Sequence, residues 1–245
     1  MHKEDISLLK EVGERPQTYS SPAILERRRR ILEETRQVIA EQGIAALSMN
    51  DIGRRAGVAK RTLYNAFQTR ERMIATAIQE YFDEYVSRIS FANPPGTMMH
   101  NLERMISVIQ RNRKIPNYIR AIMALYFSSE VDSDIWQAMH SLATRHNKAW
   151  IDTLASTNQL QPWVRVDTLV DDLVRFEYAT INDWAQQRIA DDAIIIRLIS
   201  SYLTFLLGAI RGAARKEVEA LLKDVAERGM EALPVHKKTK IAAVG

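Results

Sequence analysis

Cysteine is absent from the 245-residue chain. That excludes disulfides and thiolate metal sites and makes the reducing cytoplasm the expected setting. Glycine and proline are scarce, 9 and 7 residues, so long stretches lack the punctuation of β-rich chains and an all-α fold is expected. The 5 histidines are scattered without pairing, which disfavours a metal site. Neither a Gly-rich phosphate loop nor a nucleophile elbow occurs. We therefore expect no cofactor, no metal and no catalytic residue. No apolar run near the N-terminus resembles a signal peptide. The one segment that approaches a membrane span, 193–210, carries Arg197, Ser200, Ser201 and Thr204. A central Arg costs about 3 kcal/mol to insert, and roughly 20 apolar residues are normally needed. A buried helix is the better reading, with no membrane as partner.

What is present is a hydrophobic content of 46%, enough for a sizeable core, and a formal net charge of +4. The distribution of charge says more than the total. Positions 26–72 hold 11 basic and 6 acidic residues, leaving 23 basic and 24 acidic elsewhere. All the positive excess lies in one short segment, the footprint of a region that meets a polyanion.

The chain divides into an N-terminal extension over 1–25, flexible and polar with Pro16 and Pro22, a compact unit over 26–68, a helical domain over 69–230 and a basic tail over 231–245. From Arg27 a helical stripe runs through Ile31, Thr35, Val38, Ile39 and Gln42, and Gly43 stops it. Ser48, with Asp51 three residues on, opens a second short helix. Gly57 closes it, and a third follows over 59–67. Thr69 is placed to cap a fourth, longer helix. After the Asn93-Pro94-Pro95-Gly96 break, helices are expected near 97–113, 116–129, 132–157, 166–189, 191–212 and 214–230.

Residues 48–67 read Ser-Met-Asn-Asp-Ile-Gly-Arg-Arg-Ala-Gly-Val-Ala-Lys-Arg-Thr-Leu-Tyr-Asn-Ala-Phe. Ile52 and Ala56 give the first helix an apolar face, with a small residue where the next helix crosses. Gly57 suits a left-handed turn. Val58 plugs the corner, and Leu63 and Phe67 anchor the second helix. Lys60, Arg61, Thr62, Tyr64 and Asn65 are left facing outward on a helix short enough for a DNA major groove.

Here the chain resembles the tetracycline-repressor family, over about positions 27–82. The resemblance implies an N-terminal helix-turn-helix domain followed by a helical ligand-binding and dimerisation domain. Residue by residue, it implies that Ser48 caps its helix or meets a phosphate. Tyr64 and Arg70 are to hold backbone phosphates, and Lys60, Arg61, Thr62 and Asn65 to read base edges or nearby phosphates. Two residues depart from the family's pattern. Ala59 stands where a hydroxyl residue is usual, forfeiting a cap of about 1 kcal/mol, and Ala66 replaces a frequent His. The arginine run 27–30 is set at the unfavourable positive end of the first helix. That cost is easier to understand if Arg27 and Arg28 lie near DNA.

Behind this unit the signal thins. The 191–212 helix is apolar almost all round, with Ser200, Thr204 and Gly208 spaced by four. With the 166–189 helix, including Leu173, it resembles the family's dimer interface. For a ligand site we sought polar residues inside apolar stripes. His146 and Trp150 fall on the stripe of one helix, Glu177 and Trp184 on another, Tyr118 and Tyr126 on a third, and Met105 on a fourth. A buried Glu177 needs a partner, which His146, Tyr126 or a ligand could supply. The Trp and Met content suggests a small apolar or aromatic ligand.

The expectation is a cytoplasmic homodimer on double-stranded operator DNA, acting as a repressor that a small ligand releases from a pseudo-palindromic site. A DNA-organising protein governed by a protein partner fits the same residues. A helical enzyme fits them poorly.

Overall fold

The computed structural model describes residues 21–234. The expected N-terminal extension falls outside it up to residue 20, and the basic tail from residue 235. Ten α-helices are present among the described residues: α1 (Pro22–Gln42), α2 (Met49–Arg55), α3 (Lys60–Phe67), α4 (Arg70–Ser87), α5 (Met98–Asn112), α6 (Pro116–Tyr126), α7 (Ser133–Ser156), α8 (Val166–Ala185), α9 (Ile194–Leu206) and α10 (Gly212–Arg228). A short 3₁₀ turn, Gly229–Ala232, follows. The fold is all-α. No helix among the described residues is long and apolar enough to cross a membrane.

The helix starts are chemical. The side chains of Ser48, Thr69, Thr97 and Asp132 each accept a bond from a backbone N–H of the turn they open, satisfying donors that a helix leaves unpaired. α1 begins five residues earlier than its apolar stripe suggests, because Pro22 occupies its first turn, where a missing N–H costs nothing. This moves the arginines 27–30 beyond the first turn. The dipole penalty fades over that distance, so their presence needs no compensating phosphate. Gln42, expected on the buried stripe, is exposed.

α1 packs on α4 and α6, and α4 lies along α7. α7 and α8 pair and, with α5, α6 and α9, enclose one hydrophobic core. α9 is shorter than its apolar run. The chain leaves the helix at Leu207, and Gln161 N–H donates to Ala209 O at 2.8 Å while Arg211 N–H donates to Gln159 O at 2.9 Å. The extended pairing of Leu160 with Ile210 takes up backbone groups that a longer helix would have used itself. α8 likewise stops at Ala185, and Gln187 sits at φ 62°.

Candidate nucleic-acid interface and the cavity behind it

The α2–turn–α3 unit is held together by close approach. Gly57 adopts φ +62°, the left-handed conformation that closes the turn. Val58 N–H donates to Gly53 O at 2.8 Å. A Cβ at position 53 would lie 3.0 Å from Val58 O and 3.7 Å from Leu63 Cδ1. The tightest approach is thus between Gly53 and the carbonyl of Val58 in the turn, while Ala56, the small residue expected where α3 crosses, is buried. Leu63 and Phe67 are buried and fix α3 by its inner face.

The outer face of α3 is open. Lys60, Arg61 and Asn65 are exposed, Thr62 is half-buried, and Tyr64 is 44% exposed. The Lys60 ammonium sits 5.7 Å from the centroid of the Tyr64 ring. Ala59 supplies no side-chain cap, and Thr62 N–H donates instead to Ala59 O at 2.9 Å. Ser48 Oγ accepts from Asp51 N at 3.1 Å, which assigns it the capping role.

Other cations of this segment are already engaged. The Arg70 guanidinium donates to the carbonyls of Leu47, at 2.8 Å, and Ile44. Two of its N–H donors thus tie α4 to the loop before α2 and a third meets Glu71 at 3.2 Å, so Arg70, of which a phosphate contact is expected, holds the fold together in the free protein. Arg28 pairs with Glu80 at 2.6 Å and stacks over Phe67. Asp51 takes Arg54 and Arg55, and the Arg54 bond holds its carboxyl below the usual range. Arg72 reaches Asp134 on α7 at 3.2 Å. Arg27, Arg30 and Arg61 have no ion-pair partner among the described residues. The basic excess that counted evenly in the sequence is concentrated on few side chains in space.

Behind this unit lies a mainly apolar cavity of about 50 Å³, walled by α4, α5, α6, α7 and α8. Of the seven residues expected at a ligand site, His146 and Glu177 line it. The other five are spent on packing. Trp184 Nε1 donates to Asp191 at 2.6 Å. Trp150 stacks with Tyr202 at 6.4 Å. Met105 is buried beside Asn101, and Tyr118 meets the edge of Tyr81. Tyr126 bonds His140 Nδ1 at 2.8 Å, and His140 Nε2 bonds Asp171 at 2.8 Å. That bond holds the Asp171 carboxyl below its ordinary range.

Glu177 is answered by Arg104, at 3.1 Å and 3.3 Å, and not by His146 or Tyr126. The pair is almost fully buried, with side chains 4% and 2% exposed. Asn147 Nδ2 also donates to Glu177 at 3.3 Å, and Asn147 Oδ1 accepts from Tyr202 at 2.6 Å. Asn101 completes the cluster, donating to Asn147 Oδ1 and Tyr202 Oη. Four helices are joined by it, and Tyr202 belongs to α9. Sequence reasoning overlooked Asn101, Arg104 and Asn112. Their signal was a set of polar residues three and eight positions apart, near whole helical turns, beside the α5 stripe.

Burial, aided by the nearby charges of Arg104 and Arg145, pushes the His146 imidazole down from 6.5 to about 4. The unfolded chain takes up a proton near pH 6.5 that the folded chain refuses until about pH 4. This contribution to stability is complete above the upper value and is lost as pH falls toward the lower. His146→Leu is expected to flatten that arm of the stability curve, read as urea midpoints at about pH 7 and about pH 5. An unchanged slope would assign the arm to other groups.

The sequence profile of bacterial regulatory proteins, tetR family, matches residues 31–77. The HTH-type transcriptional repressor KstR of Rhodococcus jostii is 36% identical over 92 residues, covering 38% of this chain and 42% of that protein. The chain thus aligns with less than half of that relative's length. The structure of TylP, a TetR regulator from Streptomyces fradiae, superposes with a TM-score of 0.57 at 15% identity, over 86% of this chain and 99% of that one. NalD, the secondary repressor of the MexAB-OprM multidrug efflux pump in Pseudomonas aeruginosa, superposes with a TM-score of 0.53 at 16% identity, over 76% and 97%. At these identities the two structures speak to the fold alone.

Proposed function

We propose, because residues 31–77 match the profile of bacterial regulatory proteins of the tetR family, that the chain is a cytoplasmic homodimeric transcriptional repressor. It occupies a pseudo-palindromic operator and leaves it when a small apolar or aromatic molecule enters the cavity. The observation that carries this reading is α3, anchored by Leu63 and Phe67 while Lys60, Arg61, Tyr64 and Asn65 face outward. A helix so presented enters a major groove with its N-terminal residues on base edges.

Dimerisation places two such helices about 34–36 Å apart. The face available for it is the outer side of α9. Thr204 is exposed there, as is Gly208 just beyond the helix end, Ser200 is half-buried, and Phe205 is 46% exposed, stacked on Phe176 of α8. Leu173, expected at this interface, is fully buried within the protomer core, because α8 turns that side toward its own domain.

Coupling follows from α4. Its N-terminus adjoins α3, and its side chains Ile78, Phe82 and Val86 wall the cavity. Arg72 and Asp83 tie the same helix to α7 through Asp134 and Arg145. A molecule that enlarges the cavity displaces α4, and with it the spacing of the two α3 helices. The ligand shifts the equilibrium only as far as it prefers one arrangement.

The test is a genomic binding selection followed by anisotropy titration at two salt concentrations. We expect a site held about 10³-fold or more tighter than random DNA, with affinity falling steeply as salt rises. Binding no tighter than to random DNA would remove the reading.

A further inference from the structure

We infer that the cavity takes a neutral, mainly apolar molecule bearing one hydroxyl, whose O–H is donated to Asn112 Oδ1. This rests on the reading of the cavity as the ligand site and adds the chemistry of what fills it. Asn112 lies at the last turn of α5, is 2% exposed and borders the cavity. Its Oδ1 has no protein donor, one of two such buried side-chain atoms among the described residues. The other, Tyr118 Oη, does not line the cavity. A buried acceptor without a donor is unfavourable, and such groups in folded proteins call for a reason. A donor brought by a ligand is one.

Charge balance selects a neutral molecule. The Glu177 carboxylate is fully engaged by Arg104 and Asn147. At the α4 wall, Asp83 is paired with Arg145 at 2.6 Å. His146 stays uncharged at neutral pH because burial depresses its basicity. An ionised ligand would lose its hydration and find no free counter-charge. The remaining walls, Phe82, Val108, Ile119, Ile122, Met123 and Leu142, suit a ring or alkyl body. Since about 50 Å³ is below the size of ordinary ligand sites, the walls must yield, which flexible Met123 and Met139 permit.

The experiment titrates the full chain calorimetrically with 4-ethylphenol, 4-ethylanisole and 4-ethylbenzoate. The three share a body and differ as donor, acceptor and anion. We expect the phenol to bind about tenfold or more tighter than the anisole, one hydrogen bond's worth, and the benzoate to bind weakest. In Asn112→Leu the phenol and the anisole should bind alike, while the ligand-free thermal midpoint rises above wild type. A residue with a merely structural role would lower that midpoint. Should Asn112→Leu not fold, Asn112→Ala carries the same comparison. Equal binding of phenol and anisole to wild type, tightest binding of benzoate, discrimination that survives loss of Asn112, or binding of none of the three would each overturn the inference. Adding the selected DNA separates the two readings. Benzoate that binds tightest and releases DNA keeps ligand gating and discards the hydroxyl. Asn112-dependent phenol binding that leaves the DNA complex intact does the reverse.

Discussion

Glu177→Leu is expected to destabilise the folded chain by about 3–5 kcal/mol, the usual cost of stranding a buried charge. Its partner Arg104 is 4% exposed and would retain only the two long contacts to Asn101 Oδ1, each 3.4 Å. Arg104→Leu should cost a comparable amount. The double variant Arg104→Leu, Glu177→Leu should recover most of the loss, since replacing a whole buried ion pair by apolar side chains is often neutral or better. Recovery would not be complete. Asn101 Oδ1 loses its guanidinium donors, although Asn147 Nδ2 keeps Ala143 O at 3.1 Å. Leaving one amide oxygen unpaired costs about 1–3 kcal/mol. Urea unfolding at one fixed protein concentration measures all three variants, since any dimer makes the midpoint concentration-dependent. Additive losses in the double variant would show that the two side chains act separately and that the pair is not the unit holding α5 to α8.

The same pair marks where the sequence stopped being legible. Helices with strong stripes and chemical starts, such as α4 behind Thr69 and α7 behind Asp132, follow from spacing and capping alone. So does the α2–turn–α3 unit, because Gly57, Leu63 and Phe67 are local requirements of a tight turn. Glu177 could be seen to point inward, yet its partner could not. Arg104 lies 73 positions away, and nothing in one helix's period says which residue of another it will face. The aromatic residues misled for a related reason. Trp150, Trp184 and Tyr126 fall on inward stripes, as ligand-lining residues would, but an inward stripe supplies core and cavity alike. Only the packing of five helices decides which side chains border the space. Position 53 shows a smaller version. Gly53 and Ala56 are both small, and only the 3.0 Å approach to Val58 O shows that a Cβ at position 53 would press on the turn.

Electrostatics were legible in sum and not in detail. Lys60 and Arg70 count equally in the charge of positions 26–72, but Lys60 is exposed on α3 and Arg70 is bonded to the carbonyls of Ile44 and Leu47. Lys60→Ala combined with Tyr64→Ala is therefore expected to lower affinity for the selected DNA about 100-fold or more. Two contacts worth about 1–3 kcal/mol each disappear from each protomer. The slope of log affinity against log salt should fall by about 2 for a dimer, about 1 per Lys phosphate contact. The thermal midpoint should hardly move, because both side chains face solvent and surface changes away from special contacts stay within about 0.5 kcal/mol. Arg70→Ala should behave in the opposite way. It strands two backbone carbonyls and loosens the loop before α2, so stability falls by about 2–3 kcal/mol, and DNA affinity falls only as far as the unit loses its fold. The two variants, compared by anisotropy and thermal melting on one DNA, separate a side chain that touches the partner from one that holds the reader in place. If Arg70→Ala kept its melting temperature and lost DNA binding, its guanidinium would belong on a phosphate after all, and the carbonyl bonds would be a resting arrangement of the free protein.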